Sequence, residues 1–179
     1  MQLFLRKTIL MLLASIAILG LSCCVTNKTI SDHDAIFNVK WYLVKYVDTD
    51  NATEEDAFET IKDIPLKSDD ICWFIFTDDT LCHAVPKISN ANVYRGYGVQ
   101  NRFEGYCKVD AKKKEIQFVS PFMTEIGFRG ETGMKVNKVE ERFIDSFRNI
   151  TNYKLEGDTL LLYYDDGKKY VQFQKKRIK

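Results

Sequence analysis

Nucleophilic and metal-ligating side chains are few in this 179-residue chain, with five cysteines and two histidines, so each can be weighed by its spacing. Cys82 and His83 are neighbours, the residue types of a thiolate nucleophile and its base. Adjacent residues on a strand point to opposite faces, however, and cannot share a proton. His33 stands between Asp32 and Asp34, and three consecutive side chains close poorly around a metal. Asp48, Asp50 and Glu59 match positions of a calcium loop, but Ala52 and Thr53 stand where that loop needs a ligand and a glycine. Asp69 with Asp70, and Asp165 with Asp166, fall in expected turns, where aspartate bonds to local backbone. No catalytic residue, metal site or cofactor is expected.

Three further groups could do chemistry or binding. Cys72, Cys82 and Cys107 can be bridged in an oxidising compartment. If Ile71 to Phe76 and Leu81 to Val85 form a hairpin turning at residues 77–80, Cys72 falls opposite Val85 and Cys82 opposite Ile75, which keeps those two apart. Cys82 with Cys107, or Cys72 with Cys107, are the candidate disulfides, beside the alternative of three buried thiols. Trp73, Phe74, Phe76, Tyr94, Tyr97, Phe103 and Tyr106 could line an apolar pocket in a curled sheet, or fill its core. The third group is Cys23 and Cys24, whose context is distinctive.

Arg6 and Lys7 precede an apolar run from Thr8 to Leu21 that ends in Gly20-Leu21-Ser22-Cys23-Cys24. The run is about 14 residues against the roughly 20 that a permanent span needs, so residues 1–22 read as an export signal. The junction resembles the bacterial lipobox, which implies a lipid on Cys23 or, one register later, on Cys24. Residues 23–36 then form the lipidated cysteine and a polar tether. Removing Arg6 and Lys7 with the leader turns the formal charge of +1 slightly negative. Nucleic acid is therefore not an expected partner, whereas the membrane, reached through the lipid, is.

The elements that must position the remaining side chains are mostly strands. Twelve Phe, nine Tyr and two Trp favour pleated surfaces over a helical bundle. Phe37, Val39, Trp41 and Leu43 alternate with polar residues as a first strand reaching about Val47. Residues 48–70 form an acidic insertion, with Thr53 expected to cap a short helix through Phe58 and Ile61. The hairpin of residues 71–85 follows. A strand-like segment then runs from Tyr94 to Val109, its Gly96, Gly98 and Gly105 marking bends, and Glu115 to Val119 is a further strand. One helix is expected from about Lys135 to Arg148, with Val136, Val139, Phe143 and Phe147 on one stripe. Two hairpins close the chain, turning at Gly157-Asp158 and at Asp165-Asp166-Gly167. The fold class is mainly β (α+β): a compact, antiparallel, curled barrel-like sheet with one packed α-helix over residues 37–179.

With these residues in view, the chain resembles the META/HslJ family of small bacterial envelope domains. The likeness rests on Lys40-Trp41-Tyr42-Leu43, on the run from Gly98 to Tyr106, on Met123-Thr124, on Glu140 to Phe143, and on Leu155 to Leu162. The family's central Gly-Cys-Asn is Val99-Gln100-Asn101 here, and its second cysteine has no counterpart near Thr124, so its disulfide is absent. Asp79-Thr80-Leu81 and Asp158-Thr159-Leu160 resemble the O-glycosylation triplet of some Bacteroidetes envelope proteins. The resemblance implies a barrel-like sheet with one helix and no enzyme activity. The expected role is a non-catalytic cell-envelope lipoprotein domain that contacts another envelope protein or supports envelope integrity, facing the periplasm. A small barrel holding an apolar or lipid ligand is the alternative, and a hydrolase comes third. Palmitate labelling is expected to disappear when Cys23 or, failing that, Cys24 is replaced by Ser; labelling that survives both replacements refutes the anchor.

Overall fold

The computed structural model describes residues 35–66, 70–81, 91–119, 121–124, 126–127 and 129–175. Among the described residues, ten antiparallel strands form one curled sheet: β1 (Trp41–Asp48), β2 (Thr53–Asp56), β3 (Trp73–Leu81), β4 (Ala91–Tyr97), β5 (Arg102–Asp110), β6 (Glu115–Phe118), β7 (Phe122–Met123), β8 (Asn152–Glu156), β9 (Thr159–Tyr164) and β10 (Lys169–Gln174). The order β10-β9-β8-β6-β5-β4-β3-β1 closes on itself because β1 also pairs with β10. β2 flanks β1 and β7 flanks β5. An α-helix, α1 (Gly130–Ser146), followed by a 3-10 turn at Phe147–Asn149, packs against this sheet.

The interior is a cluster of rings. Phe147 lies with its ring centroid 5.1 Å from Phe74, 5.1 Å from Phe118, 5.4 Å from Tyr94, 5.4 Å from Phe143 and 5.7 Å from Phe103. Rings at these separations gain quadrupole attraction beyond the area they bury. The expected helical stripe is the one that is buried: Val136, Val139, Phe143 and Phe147 all face the core, whereas Lys138, Glu141, Arg142 and Asp145 are exposed. The closing hairpins also turn where the local sequence says, with positive φ at Gly157, Asp165, Asp166 and Gly167.

Glycines inside β4 and β5 make room for these rings. Tyr94 pairs with Gly105, and Gly96 with Phe103. A methyl on Gly105 would lie 2.7 Å from the Tyr94 ring, and one on Gly96 2.5 Å from Phe103 Cζ. Of the three glycines expected to mark bends, Gly98 stands at the reversal of the chain, whereas Gly96 and Gly105 let each ring lie across the opposite strand. The stretch expected as one strand from Tyr94 to Val109 is a hairpin, reversing at residues 98–101 between β4 and β5.

Other sequence expectations are corrected. β3 does not turn at residues 77–80. It continues through them with two extra residues opposite β4, since Phe76 pairs with Tyr94 and Thr80 with Asn92. The bulge accommodates the polar stretch: Thr77 is buried and donates its hydroxyl to Val93 O at 3.1 Å, and Asn38 Nδ2 donates to Asp78 at 2.5 Å. The partner of β3 is thus β4, and residues 82–85 lie outside the described residues. Thr53–Asp56 is a strand, not the start of a helix, because it pairs with β1 through a turn in which Asp48 accepts hydrogen bonds from the Asp50 and Asn51 backbone N–H groups. The acidic insertion therefore begins as part of the sheet, and its later part turns apolar side chains inward, with Ala57 and Ile61 buried and Phe58, Ile64 and Leu66 packed against the core. Ile36, assigned to the tether, is fully buried and its carbonyl accepts the Trp41 indole N–H at 3.0 Å, so the domain begins at least one residue earlier than the alternation implied.

Gly105→Ala is expected to destabilise the protein by ~1–3 kcal/mol through overpacking. Gly127→Ala, with nothing within 4 Å of the added methyl, should stay within ~0.5 kcal/mol of the parent. Chemical denaturation of both variants decides, and equal effects would refute the cross-strand role of Gly105.

Candidate functional site

Seven aromatic residues stand as candidates either to line an apolar pocket or to fill the core, and the pleat divides them. Phe74, Phe76 and Tyr94 are fully buried in the core, and the Phe103 ring packs inward against Phe143 at 5.6 Å. Trp73 and Tyr97 are half-buried and paired across β3 and β4, on the opposite face. Tyr106, also half-buried, is not part of the cleft lining. The correction follows from strand alternation, since neighbours such as Trp73 and Phe74 cannot share a face.

Trp73 and Tyr97 belong instead to an open outer cleft of about 930 Å³, lined also by Asp70, Arg95, Gly96, Arg102, Phe103, Glu104, Phe122, Met123 and Thr124. β3, β4, β5 and β7 each contribute to it. Phe122, on β7, is 75% exposed, an unusual cost for a ring in a fold that buries most of its others. The Trp73 indole N–H is buried with no hydrogen-bond partner among the described residues, and Lys40 Nζ lies 3.9 Å above the Trp73 ring centroid. Lys40 also pairs with Asp70 at 2.7 Å, and Tyr42 donates its hydroxyl to the same carboxylate at 2.7 Å. Burial alone would lower the Lys40 pKa, but the hydrogen bonds with Asp70 and Tyr42 outweigh it and hold the ammonium above its ordinary value. Asp70 is therefore already answered within the protein. Arg95, Arg102 and Glu104 are exposed and make no ion pair among the described residues, which leaves the cleft with a positive remainder.

The cleft wall is held by a buried polar cluster centred on Glu140 of α1, itself 3% exposed. Its Oε1 accepts the backbone N–H groups of Gln100 at 2.9 Å and Asn101 at 2.8 Å, and its Oε2 accepts Asn101 Nδ2 at 2.5 Å. Gly98 makes the approach feasible, since a methyl there would sit 2.8 Å from Glu140 Cγ. Asn101 passes the connection on: its Oδ1 accepts the Thr124 hydroxyl at 2.8 Å and the Ile126 N–H at 2.9 Å, while its Nδ2 also donates to Ile126 O at 2.9 Å. Thr124 N–H in turn donates to Arg102 O at 3.0 Å. The helix, the β4–β5 turn and the chain after β7 are thereby joined through side chains.

The remaining candidates are dispersed. Cys72 and Cys107 are both buried, and the Cys107 thiol is free. Burial pushes the Cys107 thiol well above its ordinary pKa, which opposes the thiolate that exchange or nucleophilic attack requires. Cys82, His83, His33, Asp69, Cys23 and Cys24 lie outside the described residues. Asp48 is committed to its own turn, and Glu59 to Lys62 at 2.5 Å. Among the described residues no three His, Cys, Asp or Glu side chains group as metal ligands, and no helix is long and apolar enough to cross a membrane.

Sequence reasoning missed Arg95, Arg102 and Phe122, whose significance comes only from being brought together by three strands. Glu140 did leave a signal, because it stands four residues after Val136 on the inward stripe, where a carboxylate demands buried donors.

The fold is shared by solved structures. A DUF4847 family protein from Bacteroides vulgatus superposes with a TM-score of 0.53 at 17% identity, over 83% of this chain and 99% of that one. A protein from Burkholderia xenovorans determined by NMR superposes with a TM-score of 0.50 at 14% identity, over 83% of this chain and 87% of that one. At such identities the likeness concerns the fold alone. No protein-family model and no curated protein matches the chain.

Glu140→Ala is expected to cost ~2–4 kcal/mol, since it strands several buried donors, and to speed amide hydrogen exchange at Gln100, Asn101 and Ile126 ahead of the rest of the sheet. Uniform exchange with a stability change below ~0.5 kcal/mol would show that the carboxylate is not the clamp.

Proposed function

We propose that the protein is a non-catalytic binding domain of the bacterial cell envelope, tethered by a lipid on Cys23 or Cys24, with the outer cleft as its contact surface. The observation that carries this reading is the exposed Phe122 beside Trp73 and Tyr97, with Arg95 and Arg102 free of ion pairs among the described residues. Large apolar side chains displayed in a group, with an excess of cations around them, are what a contact surface needs and what a solvated face avoids.

Two further features support binding over catalysis. The polar side chains that do converge, Glu140, Asn101 and Thr124, are spent on one another and on backbone groups. The described thiols are buried, and that of Cys107 is held in its protonated form. The META/HslJ resemblance agrees, since its motif residues Gly98, Asn101, Thr124 and Glu140 build the clamp and not a reactive centre. An apolar ligand inside the barrel, the alternative role, has the ring cluster of Phe147 in its way.

A photoreactive amino acid placed at Phe122 in living cells is expected to yield an adduct of discrete mass. One placed at Lys112, in the turn at the opposite end of β5, is expected to yield none. Arg95→Glu with Arg102→Glu should suppress the first adduct. Absence of any adduct at Phe122, or equal capture at both positions, overturns the cleft as the contact surface.

A further inference from the structure

The large apolar side chains that the described residues leave exposed all fall between Phe122 and Met134: Phe122 at 75%, Ile126 at 59%, Met134 at 57% and Met123 at 38%. They belong to β7, the segment after it and the first turns of α1. Ile126 itself is not loosely hung, because it is tied through its N–H and carbonyl to Asn101, and through its carbonyl to Gln100. A rigid mount for outward-facing apolar side chains points to a surface that receives them.

The composition around these side chains narrows what that surface is. Trp73 and Tyr97, each an apolar ring with a polar end, lie in the same cleft as Phe122 and Met123, and Arg95 and Arg102 stand at it without ion pairs among the described residues. Trp and Tyr at the level of the headgroups, aliphatic and phenyl groups just beyond them, and arginine against phosphate are the arrangement of a bilayer interface. The path of the chain agrees with this. Lys40, five residues after Ala35, stacks on Trp73 and pairs with Asp70 at the cleft, so the N-terminal side of the domain enters the fold beside this surface. From Cys23 to Ala35 the backbone spans at most roughly 40 Å. A lipid on either cysteine therefore holds the cleft within reach of the membrane that carries it.

We infer that the cleft and the exposed side chains of Phe122, Met123, Ile126 and Met134 seat the domain on anionic phospholipid, with Phe122 and Ile126 at the acyl boundary and Arg95 and Arg102 on headgroup phosphates. This rests on the binding-domain reading above and supplies its occupant. The domain then lies flat on the bilayer, and the lipid anchor and the cleft act as two attachments of one body.

The test uses the full lipidated protein, reconstituted in vesicles of phosphatidylcholine with phosphatidylglycerol whose acyl chains are brominated. Phe122→Trp supplies a fluorescent probe at an exposed position and Lys112→Trp supplies the control, each read as the difference from the parent protein, whose Trp41 is fully buried and whose Trp73 lies in the cleft. Contact predicts strong quenching of the Phe122→Trp probe above the control. Omitting phosphatidylglycerol, or introducing Arg95→Glu with Arg102→Glu, should lower the fraction in contact by about ten-fold or more. Quenching no greater than that of the control, or quenching indifferent to both the anionic lipid and the arginine reversal, overturns the inference. If the photoreactive group at Phe122 still captures a discrete protein in that case, the contact surface stands and its occupant is a protein.

Discussion

A carboxylate shut inside an apolar barrel is tolerable only when its lone pairs are answered by donors the fold itself supplies. Glu140 meets that condition with two backbone N–H groups and the amide of Asn101. The requirement is reciprocal, because the turn at residues 98–101 aims the partly buried Gln100 N–H and the buried Asn101 N–H inward at Glu140. Helix and turn are each left with an unpaid desolvation cost unless the other is present. Asn101 then extends the dependence to Thr124 and Ile126, so the position of the outward-facing apolar segment is set from inside the protein. Neither the cleft nor its rim can shift far while the cluster is intact.

The ring cluster imposes a second constraint in the same region. Phe147 touches rings from β3, β4, β5, β6 and α1, which closes the barrel's interior and fixes the depth at which the helix lies. Those rings fit because Gly96 and Gly105 leave their Cβ positions open to Phe103 and Tyr94. Pushing so much aromatic volume inward leaves the outer face of β3, β4 and β5 to the alternate residues, Trp73, Arg95, Tyr97, Arg102 and Glu104. The cleft is thus the complement of the core, produced by the same pleat.

Much of this was legible in the residues themselves. Asp166-Gly167 and Gly157-Asp158 announce their turns because few other residues adopt positive φ so readily, and the helical stripe of Val136, Val139, Phe143 and Phe147 has no competing period. What failed did so for identifiable reasons. Thr77-Asp78-Asp79-Thr80 has turn composition, yet a buried partner for Thr77 and an amide for Asp78 let a bulged strand absorb it. Thr53-Glu54-Glu55-Asp56 has cap composition, yet β1 offered it an edge, and Arg142 braces Glu55 from the helix. In both cases a tertiary partner outbid a local preference. The split of the seven aromatics was readable from alternation alone, whereas the meeting of Arg95, Arg102 and Phe122 depends on register across β4, β5 and β7, which no local pattern encodes.

The energetics of a two-point attachment explain why so small an apolar display suffices. Burying an exposed phenyl or aliphatic side chain yields only about 1.5–3 kcal/mol, so Phe122 with one or two neighbours would hold a freely diffusing domain to a bilayer only weakly. An acyl anchor changes the comparison, because the second contact becomes intramolecular and the local concentration of membrane is set by tether length. Under the proposed anchoring, the cleft has no need to supply retention. It needs only enough differential affinity to choose one face of the domain over others, a task within reach of a few apolar side chains and two arginines, and one that leaves the remaining faces of the barrel presented away from the membrane.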